Sequence, residues 1–141
     1  MIRKALGAIS LYCSALATAG ATDLTVTISG ARNPNGSMAL GIFNNEGGFP
    51  RAPQAFASMR IKAAQGNASV TFHDLPPGRY AVSAYHDEND NGKLDTDAVG
   101  FPTEGYGFSN DARGTLGPPA FAQAAFELGD QSKRVTVKLA Y

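Results

Sequence analysis

This chain reads as an all-β, antiparallel β-sandwich, on three observations. Apolar and polar residues alternate with a period of two in several short runs. Clusters of Gly, Pro, Asn and Asp separate those runs as turns. Helical periodicity is nowhere sustained, and Pro53 to Arg60 allows two turns at most. Six or seven short strands connected in this way form two packed sheets, with one long acidic, glycine-rich loop left over.

The first segment stands outside that pattern. Met1 to Ala21 carries Arg3 and Lys4, then an apolar stretch from Ala5 to Ala17, then the small-x-small triplets Ala17-Thr18-Ala19 and Ala19-Gly20-Ala21. The stretch is shorter than the roughly 20 residues a bilayer span needs. The pattern is that of a secretory signal peptide, residues 1–21, followed by a single sandwich domain over 22–141. Export to the periplasm or the cell exterior follows, with no membrane span after cleavage. Cys13, the one cysteine, lies in this leader and follows Tyr12, which is not the small residue that lipidation prefers. The exported part therefore has no disulfide, no paired-cysteine metal or redox site and no haem attachment.

Leu24, Val26 and Ile28 alternate with Thr25, Thr27 and Ser29, and Met38, Leu40 and Ile42 alternate after the turn Asn33-Pro34-Asn35-Gly36. Residues 23–43 read as a hairpin. Ser69 to Phe72 reads as a further strand, and Leu75-Pro76-Pro77-Gly78 as a tight corner. From Arg79 to His86 the chain is extended, with Tyr80, Val82 and Ala84 on one face. Near the end Ala124, Phe126 and Leu128 alternate, Gly129-Asp130 turns, and Val135, Val137 and Leu139 alternate again. The run from Phe72 to Val82, with Leu75, Pro76, Gly78, Tyr80 and Val82 at its marked positions, resembles the corner of prealbumin-like and carboxypeptidase-regulatory-like sandwiches. That resemblance implies a prealbumin-like or immunoglobulin-like sandwich and leaves function open, since such folds host many roles.

The informative stretch runs from His86 to Ala120. It has no usable periodicity, and a loop that long inside a compact domain is usually functional or disordered. Phe101, Tyr106, Phe108 and Leu116, recurring among glycines and prolines, argue against disorder. Charge is concentrated here. The whole chain balances 12 Lys+Arg against 12 Asp+Glu, which offers no basic footprint for nucleic acid. Residues 86–111 nevertheless hold seven acids against Lys93 alone, a net charge of −6. Acids so crowded must be solvated or neutralised by a cation.

Spacing points to a cation. Asp87, Asn89, Asn91, Gly92 and Asp95 match positions 1, 3, 5, 6 and 9 of an EF-hand-type calcium loop. Alternate side chains would turn inward as hard oxygen ligands, glycine would permit the bend, and the Lys93 carbonyl would add an oxygen. Calcium suits an all-oxygen set better than a transition metal does. Position 12, where an EF-hand has its bidentate Glu, is Ala98. A helix–loop–helix sensor is thereby excluded, and another carboxylate is required: Asp97 is nearest, with Glu104 and Asp74 brought in through folding. The alternative is a plain Asn-Gly turn with solvated acids.

The run His86 to Thr96 and its continuation Gly100 to Asn110 resemble the signature of an uncharacterised bacterial family, domain of unknown function 2141. Leu75 to Val82, Gly117 to Phe121 and the last alternating strand fit the same pattern. The resemblance implies an exported bacterial β-sandwich and no established activity. The function expected is a non-enzymatic binding or interaction module of the cell envelope, with a structural calcium loop and an envelope protein or glycan as partner. The other function considered is an enzyme using His86 with Asp87 or Glu104. Phe101, Tyr106 and Phe108 either form a stacking platform or fold back to plug the sheet edge. A hydroxyisourate hydrolase is excluded by the ending Lys138-Leu139-Ala140-Tyr141 and the lack of paired active-site histidines.

Overall fold

The structure is a computed structural model that describes residues 20–141. All of the expected leader except Gly20 and Ala21, including Cys13, lies outside the described residues.

Alternation becomes strand where it was expected, except at Ala124, which ends a one-turn helix, and Leu139, just past the last strand. β1 (Thr22–Ala31) buries Leu24, Val26 and Ile28 and leaves the intervening Thr and Ser side chains half-exposed. β2 (Ser37–Phe43) buries Met38, Leu40 and Ile42. β3 (Ala57–Lys62) and β4 (Gly66–Leu75) follow, and the Pro-Pro-Gly corner leads into β5 (Gly78–Asp87). At that corner Tyr80 is buried and its hydroxyl donates to the Pro76 carbonyl at 2.6 Å. Tyr80, Val82 and Ala84 share the core face as predicted. β6 (Tyr106–Phe108), a one-turn helix α1 (Phe121–Ala124), β7 (Phe126–Leu128) and β8 (Lys133–Lys138) complete the described chain.

Two sheets face each other across a core of Leu24, Val26, Ile28, Met38, Leu40, Ile42, Val82 and Val137, among others. One sheet has the order β4-β1-β8, the other β3-β2-β5-β6, and β7 pairs with the start of β5. Every pairing is antiparallel except β1 with β8, which is parallel. A sandwich-like all-β fold is the result. Among the described residues no helix is long and apolar enough to cross a membrane.

Three expectations need correction. Residues 23–43 are not a hairpin: β1 pairs with β4 and β8, whereas β2 pairs with β3 and β5. Both strands bury one full apolar face, and those faces meet across the core instead of lying side by side. The 32–36 turn is therefore a crossover between sheets. Its Gly36 (φ +67°) lies so close to the Asp87 carbonyl that a Cβ there would collide with it. The Pro53–Arg60 region keeps within the two turns allowed, with one 3-10 turn at Ala52–Gln54, but it also enters the strand β3, which was not expected. Ala57, Met59 and Ile61 alternate against the core, a pattern masked in the sequence by the polar and small residues around it. Finally, the long loop is not wholly irregular, because β6 extends the sheet beside β5.

Candidate functional site: an acidic loop beside an apolar cleft

β5 presents Tyr80, Val82, Ala84 and His86 to the interior, so strand geometry sends Ala81, Ser83, Tyr85 and Asp87 to the outer face. At the strand's end the chain enters the acidic loop, which folds into a closed knot. The buried Glu104 carboxylate ties the knot, accepting the Glu88 N–H at 2.6 Å and the Asp95 N–H at 2.9 Å. Thr103 N–H donates to the Asp95 carbonyl, and His86 N–H to that of Gly105. The sharp bends fall at Asp90 (φ +54°) and Gly92 (φ +82°), the second in a conformation that favours glycine.

The six residues expected to hold a cation are distributed as follows. Asp87 is fully buried, and its carboxylate accepts from Asn91 N–H, Gly92 N–H and the Arg60 guanidinium. Asn89, Asn91 and Asp95 come together: the two amides donate to the two Asp95 oxygens at 2.6 and 2.5 Å. Lys93 gives its N–H to Asn91 Oδ1 at 3.2 Å, and it also lines the neighbouring cleft. Asp97 stands apart. Its Oδ1 accepts the N–H groups of Val99, Gly100 and Phe101 at 2.9–3.0 Å, capping a separate turn. Among the described residues no three His, Cys, Asp or Glu side chains are grouped to hold a metal ion.

The charge compensation seen in the structure comes from arginines. Arg60 reaches from β3 across β2 to Asp87 and also contacts Asp90 at 3.2 Å, while Ser37 donates to the same Asp90 oxygen at 2.5 Å. Arg32 pairs with Glu88 at 2.5 Å, and Asn33 donates to that carboxylate at 2.8 Å. Burial pushes the Asp87 carboxyl up, but Arg60 and the two backbone N–H groups outweigh it and hold it below the usual range. Glu88 behaves likewise: burial raises it, and Asn33 and Arg32 carry it below its ordinary value. Asp95 is lowered by its hydrogen bonds from Asn91 and Asn89.

His86 belongs to the interior. Its Nε2–H donates to the Asn35 carbonyl at 2.6 Å, which leaves Nδ1 to accept the Tyr141 hydroxyl at 2.7 Å, and the ring is fully buried. It ties the 32–36 crossover and Tyr141 to β5, and it does not line the cleft.

That cleft, of about 1000 Å³, lies over the outer face of the five-stranded sheet. Register builds its floor. Ser58, Gly41, Ser83 and Phe108 form one cross-strand row, and Arg60, Ala39, Tyr85 and Tyr106 form the next. Small side chains at the centre leave the space. Leu94, Val99, Phe101 and Pro102 from the acidic loop make one wall, and Gly114–Pro118 contributes another. Val99, Phe101 and Leu116 are 79%, 56% and 89% exposed at its rim. The far end is closed by Phe43 and Phe108, part of a second apolar cluster in which Phe49 meets Phe43, Phe108 and Phe121 edge-on. The three aromatics singled out in the sequence thus divide: Phe108 folds back, Tyr106 is half-buried, and Phe101 is exposed.

Arg60, Tyr85, Ser109 and Tyr141 are the residues that sequence reasoning missed as parts of this region. The alternation Ala57-Met59-Ile61 was the available signal for Arg60, since it sends Ser58, Arg60 and Lys62 to the opposite face. Ser109, fully buried, accepts the Val82 N–H at 2.9 Å and donates to the Ala124 carbonyl at 2.6 Å. It fills the gap between the stretches of β5 paired to β7 and to β6, which is a structural task.

Comparison with known proteins adds a family. The model of a family described as "Uncharacterized protein conserved in bacteria (DUF2141)" matches residues 26–136, and the chain belongs to that family. No curated protein and no solved structure matches it.

Proposed function

We propose that this member of an uncharacterised bacterial family is an exported, non-enzymatic binding module of the cell envelope that holds an apolar ligand in the outer-face cleft. The observation that carries the reading is the cleft itself, at the upper end of the size range of small-molecule sites. Large apolar side chains left in water around a cleft mark interaction surfaces, and Val99 and Phe101 on one wall and Leu116 on another are so exposed. Backbone N–H groups that donate to the Asp97 and Glu104 carboxylates hold the loop wall in shape before any ligand arrives, which lowers the ordering cost of binding. Export rests on the charge, apolar stretch and small residues of Met1–Ala21. An envelope protein or glycan would meet the same rim.

The test is binding of the neutral, environment-sensitive dye N-phenyl-1-naphthylamine, followed by its fluorescence. The dye should brighten with the wild-type protein and stay dim with Ser83→Phe, which fills the floor from a half-exposed position. Equal brightening by both proteins removes the cleft from the reading.

A second reading keeps calcium at Asp87, Asn89, Asn91, Lys93 and Asp95, with Asp97 as a supplement. It is supported by the all-oxygen donor set and by the way Asn91 and Gly92 N–H groups wrap the Asp87 carboxylate. It requires Arg60 to release Asp87 and the Asn89 and Asn91 amides to turn their oxygens inward. Calorimetric titration with calcium against a chelated control decides it: one-to-one heat abolished by Asp95→Ala supports the reading, and no heat at high millimolar calcium removes it. The enzymatic alternative has less support, because His86 is enclosed with both ring nitrogens bonded.

A further inference from the structure

The cleft has a charge asymmetry that the composition of its neighbouring loop hides. Residues 86–111 carry a net charge of −6, yet the charged residues lining the cleft are both cationic, Arg60 and Lys93. The carboxylates are engaged by Arg60 itself, by Arg32, by side-chain amides and by backbone N–H groups. Asp87 is buried against Arg60 and two backbone N–H groups. Asp90 takes Ser37 and Arg60, Asp95 takes the two Asn amides, and Asp97 caps the 99–101 turn. Glu88 is held by Arg32 and Asn33, and Glu104 by two backbone N–H groups.

The chain at Lys93 also stands at the Arg60 end of the cleft. Arg60 lies in the cross-strand row of Tyr85, and the Tyr85 hydroxyl donates to the Gly92 carbonyl next to Lys93. The next row, with Gly41, Ser83 and Phe108, leads away toward Phe43 and the apolar cluster. Both Arg60 hydrogen bonds to carboxylates use Nη2, and the side chain, 40% exposed, also stands beside the Tyr85 hydroxyl with Nε and Nη1 donors not committed to a carboxylate. Because a buried carboxylate pins one edge of this guanidinium, its other edge is preorganised for a second anion. Among the described residues Lys93 forms no ion pair.

The geometry points to a free long-chain monocarboxylate as the ligand class, its head at Arg60 and Lys93 and its chain lying over Ala39, Gly41 and Ser83 toward Phe43 and Phe108. This rests on the cleft reading above and adds to it the sign and position of the ligand's charge. A cationic head would be repelled at that end, and a neutral one would leave the exposed Lys93 and the open side of Arg60 to water.

Displacement of bound N-phenyl-1-naphthylamine by three amphiphiles of equal chain length tests it. Hexadecanoate should displace the dye at about tenfold lower concentration than hexadecanol, and hexadecylamine should be the weakest. Lys93→Glu, a change at an exposed position, should erase or invert the preference for the acid, read as the ratio of acid to alcohol displacing concentrations within that variant. Arg60→Lys, which keeps the charge beside Asp87, should reduce the preference only partly. Equal displacement by acid and alcohol, or a preference unmoved by Lys93→Glu, overturns the assignment of a carboxylate while the cleft reading stands. Failure of the dye to bind at all overturns both.

Discussion

The two faces of the five-stranded sheet do opposite work with the same strands. Inward, β2 and β5 contribute Met38, Leu40, Ile42, Tyr80, Val82 and Ala84 to a sealed core, and even His86 on that face has both nitrogens satisfied. Outward, the same strands present Ala39, Gly41, Ser83 and Tyr85, small or amphipathic side chains over which the chain leaves a cleft. The inner face is closed by a second sheet that fits it. The outer face is covered only in part, by α1 and the loops, and its buried charge, Asp87, is held by an arginine from β3. Burial of apolar area supplies stability inside, whereas outside the energy goes into fixing polar groups and keeping a surface open. A fold can therefore carry its stability on one side of a sheet and its binding chemistry on the other.

Substitutions should separate the faces. Ile42→Ala, a fully buried inner position, should cost about 3–4 kcal/mol in urea unfolding, with dye affinity changed less than about twofold; a large affinity change would mean that the faces are mechanically coupled. Asp87→Ala should cost about 2–3 kcal/mol, since it orphans two backbone N–H groups and leaves Arg60 without its main partner. The same unfolding experiment checks it, and a cost below that of an ordinary surface change would show that the knot is held without this carboxylate.

Acid should act on the outer face first. Asp87, Glu88 and Asp95 all sit below their ordinary values in the folded chain. Each therefore stabilises the fold fully above the unfolded carboxylate range, about pH 4. That stabilisation declines as pH falls below this range and is lost once the folded-state values are passed. Melting temperature should be flat from neutral pH to about pH 5 and then fall, with a shallower fall in Asp87→Asn. An identical fall in the variant would assign the acid response to other groups. The smallest effect on stability is expected at the rim: Phe101→Ser and Leu116→Ser should each stay within about 0.5 kcal/mol of wild type yet weaken dye binding about fivefold. Unchanged binding would move the ligand away from that rim.

The inner face was legible because burial imposes a period of two directly on neighbouring residues, and Leu24-Val26-Ile28 or Tyr80-Val82-Ala84 record it without reference to anything distant. The corner from Leu75 to Tyr80 was legible for a similar reason, because proline and glycine constrain their own backbone. The crowding of acids between Asp87 and Asp111 was equally plain. Their partners were not. Arg60 lies 27 residues from Asp87, and Tyr141 lies 55 from His86; nothing local marks either as a neighbour.

Strand character, the position of the corner, the acidic loop and family membership were thus set down in short stretches of residues, each governed by its own backbone preferences and side-chain polarity. The pairing of β1 with β8 in place of β2, the arginine beneath the loop and the cleft over Gly41 and Ser83 depend on which strands become neighbours and in what register. Pairing and register are chosen by the summed fit of two whole faces across the core, a quantity that belongs to the assembled molecule and to no single segment of it.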